Sequence, residues 1–334
     1  MSLISLLKKK SDKVFFTTPS HGGKFFIFHK FYQWYKADIS EVDALDPQEA
    51  LLKAEQKASE IYGTKFTKFL TNGSTSGVIS AILTSNPQKI LIWDNAHPCH
   101  KNGAKLSKAE IVEYNLPFDS NLGLYKAITF DRVKDLIEEY LADTLVITSP
   151  TYEGFVADVK KIAQFCKEKD VKLIVDEAHG ALYPFSENLP ESAVKYADFT
   201  IQSLHKTAGG LNPTALLHSN NIDPTDALNM ITTTSPSYPM LATIEANIRF
   251  LNSKRGRKYI EDLISNIKSL NLPQLNDDIT KILLLGGNEL SKKLFDKYNI
   301  EDEKSNDKTT LLLTGIGTDK KKLLKLRKVQ MDLL

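Results

Sequence analysis

Along the middle of this chain, short and nearly all-apolar runs alternate with stretches of helical periodicity. The apolar runs fall at 68–72, 90–94, 111–114, 144–148, 172–176, 199–202 and 214–217. Each has the length of a strand, and most lack the in-and-out alternation of a strand with one wet face. Helical patterns lie between them. One begins at Asp46-Pro47, with Asp as cap and Pro early in the helix; it carries Ala50, Leu51, Ala54, Ala58 and Ile61 on one face and stops at Gly63. Others open at Val78 and cover 130–141 and 159–169. Buried strands spaced by helices predict a mostly parallel sheet covered on both faces.

The pattern changes near residue 250. A helix over 242–251 leaves the sheet region. A lysine-rich remainder follows, with helices at 259–270, 289–298 and 320–333 and strands at 281–285 and 309–314. This reads as a small α+β domain. The lysines of the last helix alternate with Leu323, Leu324, Leu326 and Val329, which predicts an amphipathic surface helix rather than a nucleic-acid patch. At the other end, seven aromatics fall within residues 25–35; a packed arm or a partner subunit must cover them. The expected organisation is an arm at 1–36, a major domain at 37–250 and a small domain at 251–334. No internal repeat or low-complexity segment is visible.

Composition adds limits. The chain has 334 residues, 42% apolar and 25% charged, as expected of a globular protein with a sizeable core. A net charge of +2 points to neither nucleic acid nor anionic lipid. The two cysteines, Cys99 and Cys166, form no disulfide framework and fit a reducing compartment. No apolar run approaches the ~18 residues of a membrane span, and the N-terminal charge lies on the wrong side for a signal peptide. A soluble, cytoplasmic protein is expected. Only Arg132, Arg249, Arg255, Arg257 and Arg327 are arginine.

The candidate chemistry gathers where strands end. In an open parallel sheet, ligands bind at the carboxyl ends of the strands. Ser74, His100, Asp176 and Lys206 each follow a predicted strand. Lys206 lies beside His205, and a lysine near another cation gives up its proton more easily. The neutral amine attacks a carbonyl, so Lys206 is a candidate Schiff-base lysine. Asp176 is placed to hold the ring nitrogen of pyridoxal phosphate protonated. The strand, small-polar loop and helix around Gly73, Ser74, Thr75, Ser76 and Gly77 suit a phosphate. His97 and His100 follow another strand and can lay an imidazole on a ring face.

Two rival readings are weaker. Asp176-Glu177-Ala178-His179 spells a helicase acidic box, but the chain lacks the Gly-x-x-x-x-Gly-Lys-[Ser/Thr] loop that such enzymes need. His97, Cys99 and His100 with Asp94 offer metal ligands, yet no distant cluster completes the shell, so no metal is expected.

Eight fragments in one order then resemble a known family. They are Pro19 to Gly23; Asp38 to Asp46; Asn72 to Gly77; Asn95 with His100-Lys101; Ser149 to Gly154; Asp176 to Gly180; Ser203 to Thr207; and Thr232 to Pro239. Together they resemble the bacterial ornithine/lysine/arginine decarboxylases, pyridoxal-phosphate enzymes of fold type I. Two residues around Ala96-His97-Pro98 stand inserted before His100. The resemblance implies an α/β fold of the fold type I transferase kind, with a mostly parallel sheet. It implies Lys206 as Schiff-base lysine, Asp176 at the ring nitrogen and His100 stacked on the ring. Gly73, Ser74, Thr75 and Ser203 would bind phosphate, with His205 beside them. His179 would pack near the ring, and His179 or His205 would assist proton transfer. Ser235 would reach the cofactor of the other subunit of a homodimer with shared active sites. The implied reaction is decarboxylation of a basic amino acid, in polyamine metabolism. An aminotransferase or aldolase, or a non-catalytic cofactor-binding paralogue, stands as the alternative.

Overall fold

The computed structural model describes residues 14–16 and 49–333. The segments 19–23 and 38–46 and the aromatic cluster at 25–35 lie outside the described residues. In chain order the strands are β1 (Val14–Phe15), β2 (Phe66–Leu70), β3 (Lys89–Trp93), β4 (Glu110–Tyr114), β5 (Phe118–Asp119), β6 (Leu124–Tyr125) and β7 (Thr144–Thr148). They continue with β8 (Lys172–Asp176), β9 (Phe199–Ser203), β10 (Ala215–Ser219), β11 (Lys281–Leu285), β12 (Ile300–Glu301), β13 (Lys304–Ser305) and β14 (Thr309–Leu313).

Seven of these form the central sheet, in the order β2-β10-β9-β8-β7-β3-β4. Only β10 runs antiparallel to its neighbours. The sheet is buried on both faces, which explains the apolar runs. Ile90, Ile92, Val146 and Ile174 pack with Val78 and Ile82 of the Gly73–Ser85 helix. The residues between them, Leu91, Leu145, Ile147, Leu173 and Val175, pack on the opposite face with Val133, Leu136 and Ile162. Period-two alternation is therefore present; both of its phases are apolar.

The helix after β2 starts at Gly73, not at Val78 as the composition of residues 73–77 predicts. Packing overrides poor helix propensity here. A Cβ on Gly77 would stand 2.8 Å from Leu70 Cδ1 and 3.0 Å from Ile201 Cγ2, so glycine lets the first turns press against β2 and β9. Ser76 Oγ donates to the Gly73 carbonyl inside that turn at 2.8 Å. The sequence reading also missed the Pro98–Leu106 and Thr225–Ile231 helices.

Beyond the Tyr238–Asn252 and Lys254–Lys268 helices lies a smaller sheet, β11-β14-β13. β1 pairs with β12, Val14 opposite Ile300, and Phe16 is fully buried. The start of the described chain thus packs with this C-terminal unit. One hydrophobic cluster joins the two regions: Phe16, Tyr62 and Leu204 belong to it, and so do Ile264, Leu312 and Leu326. No helix among the described residues is long and apolar enough to cross a membrane.

Candidate active site

Strand register gathers the chemistry on one sheet edge. Ala215 lies opposite Leu70 on one side and Ser203 on the other. Asp176 lies opposite Ile201 and Thr148. The segments leaving β2, β3, β7, β8 and β9 therefore open into one cavity of about 760 Å³. Asn72 to Thr75, His97, Cys99, Tyr152, Asp176, His179, His205 and Lys206 line it; Lys304 and Asn306 of the C-terminal unit close it.

Lys206 sits in a single π-helical turn, Leu204–Ala208, of the kind that recurs at functional sites. Gly209 ends it at φ 83°, where a Cβ would lie 2.4 Å from Ile316 Cγ2. The turn is sewn down on two sides. Asn247 Nδ2 donates to the Ala208 carbonyl at 2.8 Å, and the Ile316 amide donates to the Thr207 carbonyl at 2.9 Å. Lys206 Nζ lies 3.0 Å from His179 Nε2. Burial lowers the lysine's proton affinity; the charges of Asp176 and Glu303 oppose this, and the net shift is downward. Burial, with Lys206 and Lys281 nearby, holds His179 well below the usual imidazole range, so its ring is neutral. His205 is also shifted down, chiefly by burial; its Nδ1 donates to the Thr214 carbonyl at 3.2 Å.

Asp176 is buried at the end of β8. Burial works against its charge, but the His100 hydrogen bond, Lys206 and the Ala178 amide outweigh it and keep the carboxyl ionised. His100 Nε2 donates to Asp176 Oδ2 at 2.9 Å. His100 was expected to present its ring to a cofactor. Instead its ring is fully buried behind Asp176, and His97 is the histidine of that turn that lines the cavity. The reason is helix phase. Pro98 occupies the first turn, and His97 becomes the cap whose Nδ1 accepts from the Cys99 amide at 3.3 Å. The third residue on then faces inward.

Ser74 and Thr75 stand in the first turn of the Gly73–Ser85 helix, where backbone amides have no partner within the helix. Ser203, at the end of β9, is fully buried, and its Oγ has no hydrogen-bond partner among the described residues. Ser235 does not meet these residues; it is exposed in the loop before the Tyr238–Asn252 helix.

The metal reading changes its membership. Asp176, rather than Asp94, comes within 4.8 Å of the ligand atoms of Cys99 and His100. Burial pushes the Cys99 thiol up to about 12, so it stays protonated at neutral pH and ligates poorly. Glu177 of the helicase-like box points into the interior and accepts from Ser192, Ala193 and Gln202.

Several lining residues had no assigned role in the sequence. Tyr152 packs edge-on to His179, ring centres 4.7 Å apart. Lys304 reaches the Glu153 carboxylate at 2.9 Å. Lys304 and Glu153 stand 151 positions apart, so no local pattern could have paired them. The arginines after residue 248 lie elsewhere. Arg249 pairs with Glu245, Arg255 stacks on Tyr259, and Arg257 donates to the Phe185 carbonyl. Among the described residues no arginine lines the cavity.

Fold and cavity define a class: the chain has the fold type I architecture of pyridoxal-phosphate enzymes. It aligns with the solved constitutive lysine decarboxylase of Escherichia coli at TM-score 0.74 and 22% identity, over 99% of this chain and 60% of that one. Lysine decarboxylase A of Pseudomonas aeruginosa aligns at TM-score 0.77 and 17% identity, over 92% and 55% of the two chains. The chain belongs to the family described as Orn/Lys/Arg decarboxylase, major domain, which matches residues 3–284. Among curated relatives, an arginine decarboxylase of Bacillus cereus is 28% identical over 84% of this chain and 68% of its own length. A Bacillus subtilis protein, YaaO, is 32% identical over 70% and 52%. This chain thus spans about half to two thirds of these relatives.

Proposed function

We propose that this protein decarboxylates a basic amino acid of the lysine, ornithine or arginine class, using pyridoxal phosphate held on Lys206. The carrying observation is the convergence of Lys206 and Asp176, from the ends of adjacent strands, in one cavity whose surroundings lower the proton affinity of both. The residues fit the cofactor. The unpartnered, buried Ser203 Oγ and the first-turn amides at Ser74 and Thr75 suit a phosphate. The ionised Asp176 carboxylate, fixed by His100 and the Ala178 amide, suits a protonated ring nitrogen.

When bound, the cofactor supplies an electron sink for the bond broken at the substrate's α-carbon. The protein's own groups do the rest. Burial favours the neutral, nucleophilic amine of Lys206. His97 lines the wall where a ring would lie, and His100 orients Asp176 from behind. Neutral His179 accepts a hydrogen bond from Lys206 at 3.0 Å, which orients the amine, and is one candidate to assist proton transfer at the reacting centre. His205 spends Nδ1 on Thr214 and leaves Nε2 as a second proton carrier. A cavity without arginine leaves the substrate's α-carboxylate unclamped and free to depart, which favours decarboxylation over transamination. Following the family resemblance, the active form is a cytoplasmic homodimer in which Ser235 reaches the partner's site; sedimentation at micromolar concentration tests the dimer.

The test is direct. The purified protein should gain a visible absorption band with pyridoxal phosphate and release carbon dioxide from at least one of lysine, ornithine and arginine. Lys206→Ala should lose both. A protein that stays colourless, or a variant that keeps the wild-type band, would overturn the reading.

A further inference from the structure

At the cavity mouth, one positive charge of the protein sits in a site shaped for a cation. The ammonium of Lys304 lies 2.9 Å from Glu153 Oε1 and 5.3 Å from the centre of the Tyr152 ring. The Tyr152 hydroxyl donates to Glu303 Oε1, which brings a second carboxylate to the same place. Burial and the Glu303 bond raise the phenol's affinity for its proton, so it remains a donor. A carboxylate and an aromatic face hold one ammonium, and the Glu303 carboxylate is bonded to the hydroxyl of that same ring. Ring quadrupole and carboxylate together favour an alkylammonium or a guanidinium.

The two members of the central ion pair differ in mobility. The Glu153 side chain is 8% exposed, whereas that of Lys304 is 53% exposed. The carboxylate is buried and needs a cation beside it, whereas the lysine head lies half in water and can leave once another cation takes its place. Nor is the cage remote from the chemistry. Tyr152 packs on His179, and His179 meets Lys206. The charge of Glu303 itself raises the proton affinity of Lys206. Leu124, Tyr125 and Pro150 line the same cavity and offer apolar surface to a methylene chain.

We propose that the Tyr152–Glu153–Glu303 cage binds the cationic end of the substrate side chain, and that Lys304 occupies this place until a substrate displaces it. The inference rests on the decarboxylase reading above, because it assumes that the substrate's amino end is held at Lys206. It adds what that reading lacks: the residues that would read the far end of the substrate, and an internal competitor that sets its affinity.

The experiment uses the protein loaded with pyridoxal phosphate. Cadaverine, a linear five-carbon diamine, and pentylamine, the same chain without the second amine, are titrated by change in the visible band and by calorimetry. Wild type should bind cadaverine at least about tenfold more tightly than pentylamine, as expected of a charge-assisted hydrogen bond to a buried carboxylate. Glu153→Gln should abolish that preference while leaving pentylamine binding unchanged. Lys304→Met should tighten cadaverine by a few-fold and leave pentylamine unchanged. Equal binding of the two amines by wild type would overturn the proposal, and so would a preference that survives Glu153→Gln. Weaker cadaverine binding by Lys304→Met would do the same, because it would make Lys304 a latch rather than a competitor. A wild-type protein with no visible band would instead sink the decarboxylase reading, so the two failures are distinguishable.

Discussion

Single side chains at the sheet edge carry opposed demands. Asp176 must stay ionised in a buried position, and His100 and Ala178 make this possible. Replacing the charge while keeping the shape, Asp176→Asn, should lower turnover by at least about a hundredfold, roughly 2.7 kcal/mol of transition-state stabilisation; steady-state carbon dioxide release measures it. Its neighbour Glu177 behaves differently. Burial pushes its carboxyl up to about 7 from the ordinary 4.5, despite three donors. A raised folded-state value means that folding takes up a proton. That stabilisation is fully present below pH 4.5 and is lost as pH rises through 7. The unfolding free energy should therefore fall across this window, at most by about 1.4 kcal/mol per pH unit. Glu177→Gln should flatten the slope in urea titrations at several pH values. The meeting of Lys206 and Asp176 was legible in the sequence because each stands at or just past the end of a mostly apolar run, and those runs end at one sheet edge. The choice between His97 and His100 was not, because it depends on where Pro98 sets the first turn of a helix.

Among the elements, the Gly73–Ser85 helix shows how packing decides what composition leaves open. Residues 73–77 look like a loop, yet they are helical because Gly77 admits close contact with Leu70 and Ile201. Gly77→Ala forces a methyl into that contact. It should cost about 1–3 kcal/mol, as overpacking does, and should weaken pyridoxal-phosphate binding by tilting the first-turn amides. Thermal unfolding and a cofactor titration separate the two effects. The strands β3, β7, β8 and β9 were readable within a residue or two, since burial on both faces leaves few polar positions to confuse the pattern. The two-residue strands β5, β6, β12 and β13 were not, because their pairing comes from tertiary position rather than from local propensity.

Across the whole molecule, the C-terminal unit does more than cover an edge. Lys281, fully buried, pairs with Asp278 at 2.5 Å and donates to the His179 carbonyl at 3.3 Å; Tyr183 donates to the same carboxylate at 2.7 Å. The lysine thus joins the small sheet to the backbone of the histidine that meets Lys206. Lys281→Met should leave Asp278 charged in the interior without its cation. A loss of about 3–5 kcal/mol is expected from urea unfolding, the usual cost of removing one partner of a buried pair. The sequence showed Lys281 only as the first residue of an apolar strand, with no sign that its charge lies inside.

The parallel pair β1–β12 sets a schedule as well as a contact. Val14 finds its partner only at Ile300, and Lys304, which lines the cavity, follows shortly after it. During synthesis from the amino terminus, the earliest described residues must wait through nearly the entire chain before they can be covered, because distant pairing pays its loop-closure cost first. The central sheet can form before this happens; the mouth cannot. Purified chains truncated before residue 300 should therefore expose Phe16 to protease, and the full 334-residue chain should protect it. The segment that carries Glu303 and Lys304 is thus held by a strand from far earlier in the chain.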